Sequence, residues 1–236
     1  MYSLFIADLH LAEHRPQLVT KFNYLLNHWV SDADALYILG DFFDYWIGDD
    51  AASPFQQQIA QQLHHASQTT PIYFMVGNRD FLLGEQFTRQ ANCHLLTDPY
   101  VVDLYHQRVL LKHGDDLCSD DRLHQWFRRV SRQRWIRKIF LALPVTTRQR
   151  IAQRIRQQSA QRQLSDQIAD VTASQVQAVM RNHQVDHLIH GHTHRPSIEF
   201  IQPAAHLQTR TVLSDWGIQG NALLVNAKGE QRLIYF

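Results

Sequence analysis

Two histidine-containing motifs near the ends of the chain, Asp8-Leu9-His10 and Gly191-His192-Thr193-His194, have the residue types and the spacing of metal ligands. Between them, in order, come Gly40-Asp41, Gly77-Asn78 and His113-Gly114. Carboxylate, imidazole and carboxamide ligands together suit Mn²⁺, Fe²⁺, Zn²⁺ or Co²⁺ better than Ca²⁺. Two such ions about 3.5–4 Å apart hold the attacking and the leaving oxygen of a displacement at phosphorus. Each motif alone carries little weight, but the ordered set predicts a two-metal site that activates water against phosphorus.

The five motifs share one position, because each stands at or just after a short apolar run that is typical of a buried strand. These runs are residues 2–7, 35–39, 72–76, 109–112 and 187–189. Sites in layered α/β proteins collect at the carboxyl ends of strands, so we expect the motifs to converge. Since side chains alternate along a strand, we also expect Asp8 and His10 to point the same way, with Leu9 in the core. The same alternation is expected of His192 and His194.

The remaining elements predict one layered α/β domain with mixed sheets over residues 1–236. Apolar residues at helical spacing predict helices at 17–30, 54–66, 81–89 and 173–182, with Ser53 as the N-cap of the second. Further strands are expected at 100–104, 198–201, 209–213, 222–225 and 232–235, with turns at 106–107 and 226–229.

The charge of the chain is unevenly distributed. Residues 122–162 contain 11 Arg, 1 Lys and no acidic residue, so this segment carries +12 while the whole chain carries only +1. Apolar residues recur in it at helical spacing, and Pro144 interrupts them. A basic segment of this kind indicates a surface that meets an anion, a nucleic acid or a membrane. We interpret residues 122–164 as a helical insertion and not as a second domain.

Length and composition exclude several classes of protein. Aliphatic and aromatic residues make up 44% of the 236 residues, which is ordinary for a globular protein. No stretch of about 18 apolar residues occurs, so a membrane span is not expected. Residues 2–7 lack the basic leader of a signal peptide. Cys93 and Cys118 match no zinc or disulfide framework and are expected to be reduced thiols of a cytosolic protein.

The ordered ligand motifs resemble those of the calcineurin-like metallophosphoesterases, over nearly the whole chain outside the basic segment. The resemblance implies a four-layer α/β/β/α sandwich that holds two metal ions. It implies that the ligands of one ion are Asp8, His10, Asp41 and His194. It implies that the ligands of the other are Asp41, Asn78, His113 and His192, with Asp41 bridging the two ions.

One position departs from the common pattern of this superfamily, in which a histidine follows the asparagine of the third strand. Here that residue is Arg79. A phosphate leaving group, whose second pKa is about 6, gains little from a proton. An always-charged guanidinium neutralises such a group directly, so Arg79 favours hydrolysis of a diphosphate over that of a simple monoester. The alternative is that Arg79 only pairs with the adjacent Asp80.

Longer stretches around the same motifs resemble one subfamily, the UDP-2,3-diacylglucosamine pyrophosphatases of lipid A biosynthesis. These stretches are residues 40–50, 77–80, 113–121 and 189–196. The resemblance implies attack of water on the α-phosphorus of the substrate, which gives UMP and 2,3-diacylglucosamine 1-phosphate. It also implies two Mn²⁺ ions as cofactors and a cytoplasmic enzyme that is peripheral on the inner membrane.

The same resemblance implies roles for individual residues. The catalytic residues would be Arg79, Asp41 and Asn78. The residues in contact with the substrate would be Asn78, Arg79, Asp121, Ser159, Arg162, Gln163 and His192. The family has a lysine beyond the serine that Ser159 matches, whereas no lysine follows nearby here and Arg162 is the basic residue available in its place.

The basic segment also carries large apolar residues such as Trp126, Trp135 and Ile139. We interpret it as a lid that binds acyl chains and docks on an anionic membrane. One alternative is a nuclease or nucleotide phosphodiesterase in which Trp126 and Trp135 stack on bases. Another alternative is a metal-free binding scaffold. Such a scaffold would have lost metal ligands, whereas every ligand type is present here. The favoured interpretation predicts a monomer that binds a UDP-diacylglucosamine lipid and no nucleic acid.

Overall fold

The computed structural model describes residues 1–165, 171–201 and 207–236, and gives the backbone alone for residues 124 and 158–165. The described strands are β1 Tyr2–Ile6, β2 Ala35–Leu39, β3 Ile72–Met75, β4 His94–Leu96, β5 Tyr100–Leu104, β6 Gln107–Lys112, β7 His187–His190, β8 Ser197–Ile201, β9 Gln208–Val212, β10 Asn221–Asn226 and β11 Gln231–Tyr235. The described α-helices are α1 Pro16–Leu25, α2 Pro54–Ala66, α3 Glu85–Ala91, α4 Arg122–Ser131, α5 Arg134–Ala142, α6 Val145–Ser165 and α7 Ala173–His183. None of these helices has both the length and the apolar character needed to cross a membrane.

The strands form two mixed sheets. The first sheet has the order β11-β10-β1-β2-β3-β4, in which β1 to β4 are parallel and β10 is antiparallel to both of its neighbours. The second has the order β5-β6-β7-β9-β8, in which β6, β7 and β9 are parallel. The carboxyl ends of the parallel strands in each sheet therefore lie at one edge of that sheet.

Side-chain alternation along β1 explains how the layers pack. Leu4 and Ile6 enter a core shared with α1, α2 and α3, whereas Phe5 and Ala7 enter a second core between the two sheets. A third core joins β6 and β7 to α7, with Met180 fully buried in it. Helices thus cover the outer face of each sheet, and the predicted α/β/β/α architecture is confirmed.

Two of the predicted helices show what local sequence signals do and do not determine. The helix predicted at 54–66 is confirmed, and Ser53 accepts the N–H of Gln56 in a capping box. The helix predicted at 17–30 is α-helical only to Leu25 and continues as a π-helical turn, Leu26–Val30.

The helix predicted at 81–89 begins four residues later than expected. The carboxylate of Asp49 accepts the N–H of Gly84 at 3.0 Å and that of Phe87 at 3.2 Å, so it caps α3 at Glu85. Since this cap comes from a loop about 35 residues earlier in the chain, no local sequence signal predicts it.

Two features of the strands also differ from expectation. The turn predicted at 106–107 is formed by Tyr105 and His106, whose φ angles are 50° and 69°, and β6 begins at Gln107. The three-residue strand β4 was not predicted, because a strand this short has no readable alternation; it pairs in parallel with the edge of β3.

The basic segment contains α4, α5 and α6, and Pro144 separates the last two as predicted. Arg148 fastens α6 to the loop that follows β2, with a side chain that is 2% exposed. Its Nη1 donates to the carbonyl oxygen of Ile47 at 2.6 Å and to Oδ1 of Asp50 at 2.9 Å. One arginine of the segment is therefore a buried structural anchor.

Candidate metal centre

The seven predicted metal ligands all follow the carboxyl ends of parallel strands. They are Asp8 and His10 after β1, Asp41 after β2, Asn78 after β3, His113 after β6, and His192 and His194 after β7. The N–H of His192 donates to Oδ2 of Asp8 at 2.7 Å, which joins the edges of the two sheets. The five motifs therefore converge, as the positions of the strands predicted.

The backbone at these residues is unusual. Five of the seven have positive φ angles: Asp8 (56°), His10 (49°), Asp41 (51°), His192 (72°) and His194 (56°). This conformation is uncommon outside glycine and costs of order 1–3 kcal/mol per residue. The expected strand alternation does not apply at Asp8 and His10, because β1 ends at Ile6. Left-handed backbone sets the direction of these side chains instead, while Leu9 is buried as expected.

Asp8, His10 and His194 form a first group of donors, whose ligand atoms lie within 4.8 Å of one another. His194 Nε2 lies 3.6 Å from Asp8 Oδ1. Oδ1 of Asp8 and both ring nitrogens of His10 are buried without a hydrogen-bond partner among the described residues. A buried polar atom without a partner costs about 1–3 kcal/mol, and a cation removes this cost for the atoms that face it. The donor set therefore fits a divalent metal ion.

Asp8, Asp41 and His113 form a second group, also within 4.8 Å. His113 Nδ1 lies 2.9 Å from the carbonyl oxygen of Leu39, so its N–H donates there and the ring turns Nε2 towards the other donors of the group. This Nε2 lies 3.6 Å from Asp41 Oδ1 and 2.9 Å from Asn78 Oδ1. A backbone carbonyl on the far ring nitrogen is the usual way in which proteins orient a metal-binding histidine.

His192 lies beside the second group, with its ring centroid 5.2 Å from that of His113. Asp8 is common to both groups of donors, whereas the sequence predicts Asp41 as the shared ligand. Bridging by Asp41 stays a prediction.

Two glycines allow the loops to approach the carboxylates closely. A Cβ atom at Gly77 would lie 2.2 Å from Asp41 Oδ1, and one at Gly191 would lie 2.4 Å from Asp8 Oδ2. Real Cβ atoms are not found at such distances, so a side chain at either position would displace a predicted ligand.

The buried groups perturb one another's ionisation. Burial raises the pKa of Asp41. Burial also acts to raise the pKa of Asp8, but the nearby imidazoles of His194 and His113 hold it well below its usual range. Burial alone would lower the pKa of His113, yet the carboxylates of Asp41 and Asp8 raise it to about 9. Coupled, buried titratable groups of this kind are typical of functional sites.

Arg79 pairs with Asp44 and not with the adjacent Asp80. Its Nη1 donates to Asp44 Oδ1 at 3.1 Å, and its backbone N–H donates to Asp41 Oδ1 at 2.8 Å. Asp80 is fully buried and accepts the N–H of Gly77 at 2.6 Å. The alternative in which Arg79 only pairs with Asp80 is therefore wrong.

Asp115 is a buried residue of the site that the sequence analysis missed. It accepts hydrogen bonds from Arg128 Nε at 2.8 Å and from Arg132 Nη2 at 3.0 Å. Burial acts to raise its pKa, but the charges of His113 and these arginines hold it well below its usual range. Asp115, two residues after His113, therefore holds α4 through Arg128 and also holds Arg132, the residue that follows the helix. The acidic pair that follows His113-Gly114 and precedes the basic segment was the available signal.

His190 supports the loop that carries His192 and His194. Arg210 Nε donates to His190 Nε2 at 2.9 Å, so Nδ1 carries the proton and donates to the carbonyl oxygen of Gly191 at 2.8 Å. Burial and the charge of Arg210 lower the pKa of His190 to about 4, which keeps the ring neutral.

The predicted substrate contacts divide into two sets. Asn78, Arg79 and His192 lie at the candidate metal centre. Asp121 is exposed and directly precedes α4. Ser159, Arg162 and Gln163 belong to α6, and their side chains lie outside the described residues.

Comparison with known proteins identifies the family. A sequence profile of the calcineurin-like phosphoesterases matches residues 1–196. A UDP-2,3-diacylglucosamine hydrolase of Coxiella burnetii is 44% identical over 100% of this chain and 98% of its own. Another, of Aeromonas hydrophila, is 45% identical over 99% of this chain and 98% of its own. A solved structure of an archaeal phosphodiesterase covers 100% of both chains with a TM-score of 0.53 at 13% identity, which supports the fold alone. This chain belongs to the calcineurin-like phosphoesterase family.

Proposed function

We propose that this protein hydrolyses the pyrophosphate bond of UDP-2,3-diacylglucosamine in lipid A biosynthesis, giving UMP and 2,3-diacylglucosamine 1-phosphate. Relatives named for this substrate are 44% and 45% identical to it over nearly their full length. The observation that carries the proposal is the position of Arg79, a partly exposed cation whose own N–H contacts the predicted bridging ligand Asp41.

Two divalent ions fit the donor atoms of the site, and we propose that they are Mn²⁺. The ligands of one ion would be Asp8, His10, Asp41 and His194, and those of the other Asp41, Asn78, His113 and His192. Bound ions would polarise the phosphoryl oxygens and lower the pKa of a water molecule towards neutrality. The unpartnered atoms of Asp8 and His10 support this assignment, since the fold supplies no other partner for them among the described residues.

The chain itself orients the substrate and neutralises the leaving group. Asp44 holds the guanidinium of Arg79 by one N–H, which leaves further donors for phosphate oxygens. When water attacks the α-phosphorus, the departing group is a sugar phosphate that needs charge neutralisation more than a proton. Arg79 supplies that charge. The carboxamide oxygen of the preceding residue, Asn78, lies 2.9 Å from His113 Nε2.

We further propose that residues 122–164 form a lid within the single domain. Trp126, Trp135 and Ile139 are 61%, 62% and 59% exposed, and large apolar side chains with this exposure on neighbouring helices favour a lipid or a partner that covers them. Arg129 and Arg134 are also exposed, and basic residues near an anionic membrane contribute about 1 kcal/mol each. The lid would receive the acyl chains while the monomer rests on the cytoplasmic face of the inner membrane.

Mass spectrometry of the products tests the reaction. The purified protein is incubated with Mn²⁺ and UDP-2,3-diacylglucosamine in ¹⁸O-labelled water, with Asp41→Ala as the control for contaminating activity. We expect one ¹⁸O atom in UMP and none in 2,3-diacylglucosamine 1-phosphate. Label in the lipid product would contradict attack on the α-phosphorus. Failure to cleave this lipid, together with rapid cleavage of single-stranded DNA, would favour the nuclease alternative.

A further inference from the structure

The carboxylate of Asp44 contacts two guanidinium groups at once. Arg79 Nη1 donates to Oδ1 at 3.1 Å, and Arg156 Nη2 donates to Oδ2. The side chain of Asp44 is 5% exposed, whereas those of the two arginines are 22% and 34% exposed. Asp44 is therefore a buried anchor for two partly exposed cations.

Arg156 reaches this position from α6, a helix of the basic segment. Its guanidinium carbon lies 5.2 Å from the centroid of the Tyr45 ring, a cation–π contact that further restricts the side chain. A cavity of about 150 Å³ lined in part by Tyr45, Gln153 and Arg156 opens beside it. The guanidinium is thus held in place and borders open space.

Charge and donor geometry favour an anion between these arginines. The two guanidinium groups share the carboxylate of Asp44, so these three residues carry a net charge of +1, and Arg79 Nε also lies 3.7 Å from Asp41 Oδ2. Each guanidinium has five N–H donors, and Asp44 accepts from one nitrogen of each. Planar guanidinium groups match the oxygens of a phosphate well. Because Arg79 directly follows Asn78, an anion bound here lies next to the candidate metal centre.

We propose that Arg79 and Arg156 form a two-arginine site for a phosphate group of the substrate, and that Asp44 is the positioning residue for both. The ligand class, a diphosphate diester, rests on the proposed function. The site gives α6 a contact with the polar part of the substrate, in addition to the acyl-chain role proposed for the lid.

Binding of inorganic pyrophosphate to the full-length, metal-free protein tests the site by isothermal titration calorimetry. Asp44→Asn keeps the shape of the side chain, but its amide NH₂ group faces one of the two guanidinium groups. If Asp44 positions the arginines, the variant binds pyrophosphate about tenfold more weakly, although the protein has become more positive. Equal or tighter binding overturns the proposal, since net charge alone would then account for the affinity.

Asp50→Asn is the matched control, because Asp50 pairs with Arg148 of the same helix. We expect this variant to bind pyrophosphate like the wild type. If the two variants lose affinity equally, Asp44 only tethers α6 and the proposal fails.

Two variants of Arg156 keep the test decisive if Asp44→Asn does not fold. Arg156→Gln is expected to weaken pyrophosphate binding about tenfold, and Arg156→Lys to restore part of it. In the metal-loaded enzyme, Arg156→Gln raises KM more than it lowers kcat. Wild-type affinity in Arg156→Gln overturns the site. A protein that passes the pyrophosphate assay but leaves UDP-2,3-diacylglucosamine intact contradicts the proposed function alone.

Discussion

Gly77 and Asp80 are joined by a hydrogen bond of 2.6 Å from the backbone N–H of the glycine to Oδ1 of the aspartate. Oδ2 of the same carboxylate accepts the N–H of Phe42 at 2.8 Å. The fully buried Asp80 therefore ties the loop after β2 to the loop after β3, which are the loops that carry Asp41 and Asn78. Asp80 therefore sets the distance between two predicted ligands without a hydrogen bond to either of them.

Asp80→Asn tests this role. An amide keeps one accepting oxygen but turns an NH₂ group towards a backbone donor, which we expect to cost about 1–3 kcal/mol of stability. Removing a group that supports a ligand also lowers metal affinity about 10–100-fold. Asp49→Asn is the control, because Asp49 caps α3 without contacting a predicted ligand. Thermal unfolding and Mn²⁺ titration should show lost stability in both variants and lost affinity in Asp80→Asn alone.

Gly77→Ala tests the close approach of backbone to ligand. The new Cβ would lie 2.2 Å from Asp41 Oδ1, so the carboxylate must move and Mn²⁺ binding should fall at least tenfold. Gly217→Ala is the control, since a Cβ there has no heavy atom within 4 Å. Wild-type Mn²⁺ affinity in Gly77→Ala, measured by calorimetry, would mean that Asp41 is not held where the ion binds.

Arg79→Ala tests the argument about the leaving group. Loss of one positioned donor to a developing negative charge typically lowers kcat about 10²–10³-fold, and we expect a loss of that order. Steady-state kinetics on UDP-2,3-diacylglucosamine measure it. A simple phosphodiester with a good alcohol leaving group should be affected less. Equal losses on the two substrates would contradict neutralisation of a phosphate leaving group.

The arginines at the start of the basic segment divide into two functional sets, which liposome binding can separate. Arg128 and Arg132 are bound to the buried Asp115, whereas Arg129 and Arg134 are exposed. Replacing Arg129 and Arg134 by glutamine should weaken binding to anionic vesicles by about 2 kcal/mol, roughly 30-fold. The same change at Arg128 and Arg132 should mainly lower the melting temperature. Identical vesicle binding by the first variant and the wild type would contradict membrane docking through these residues.

The sequence predicted the elements of the fold that have strong local signals. The buried strands β1, β2 and β3 and the capped helix α2 were expected, and from them the position of the motifs at strand ends followed. The start of α3 was not predictable, because Asp49 caps it from a distant loop. The short β4 was missed because its three residues depend on pairing with β3.

The residue types of the candidate site were readable from the sequence, but the means by which they are held were not. The direction of Asp8 and His10 depends on left-handed backbone, which is rare for such residues and was not anticipated. Pairing of Arg79 with its neighbour Asp80 was the alternative that the sequence offered, whereas its partner Asp44 lies 35 residues earlier. Such contacts between distant segments form only when the strands have brought their ends together.

Diffraction from crystals grown with Mn²⁺, recorded on both sides of the manganese absorption edge, tests whether the seven predicted ligands hold two ions. Two anomalous peaks about 3.5–4 Å apart are expected. The seven predicted side chains should surround them, with Asp41 touching both. Crystals that show no ion among these residues, or the seven side chains turned away from a common point, would rule out a two-metal centre here.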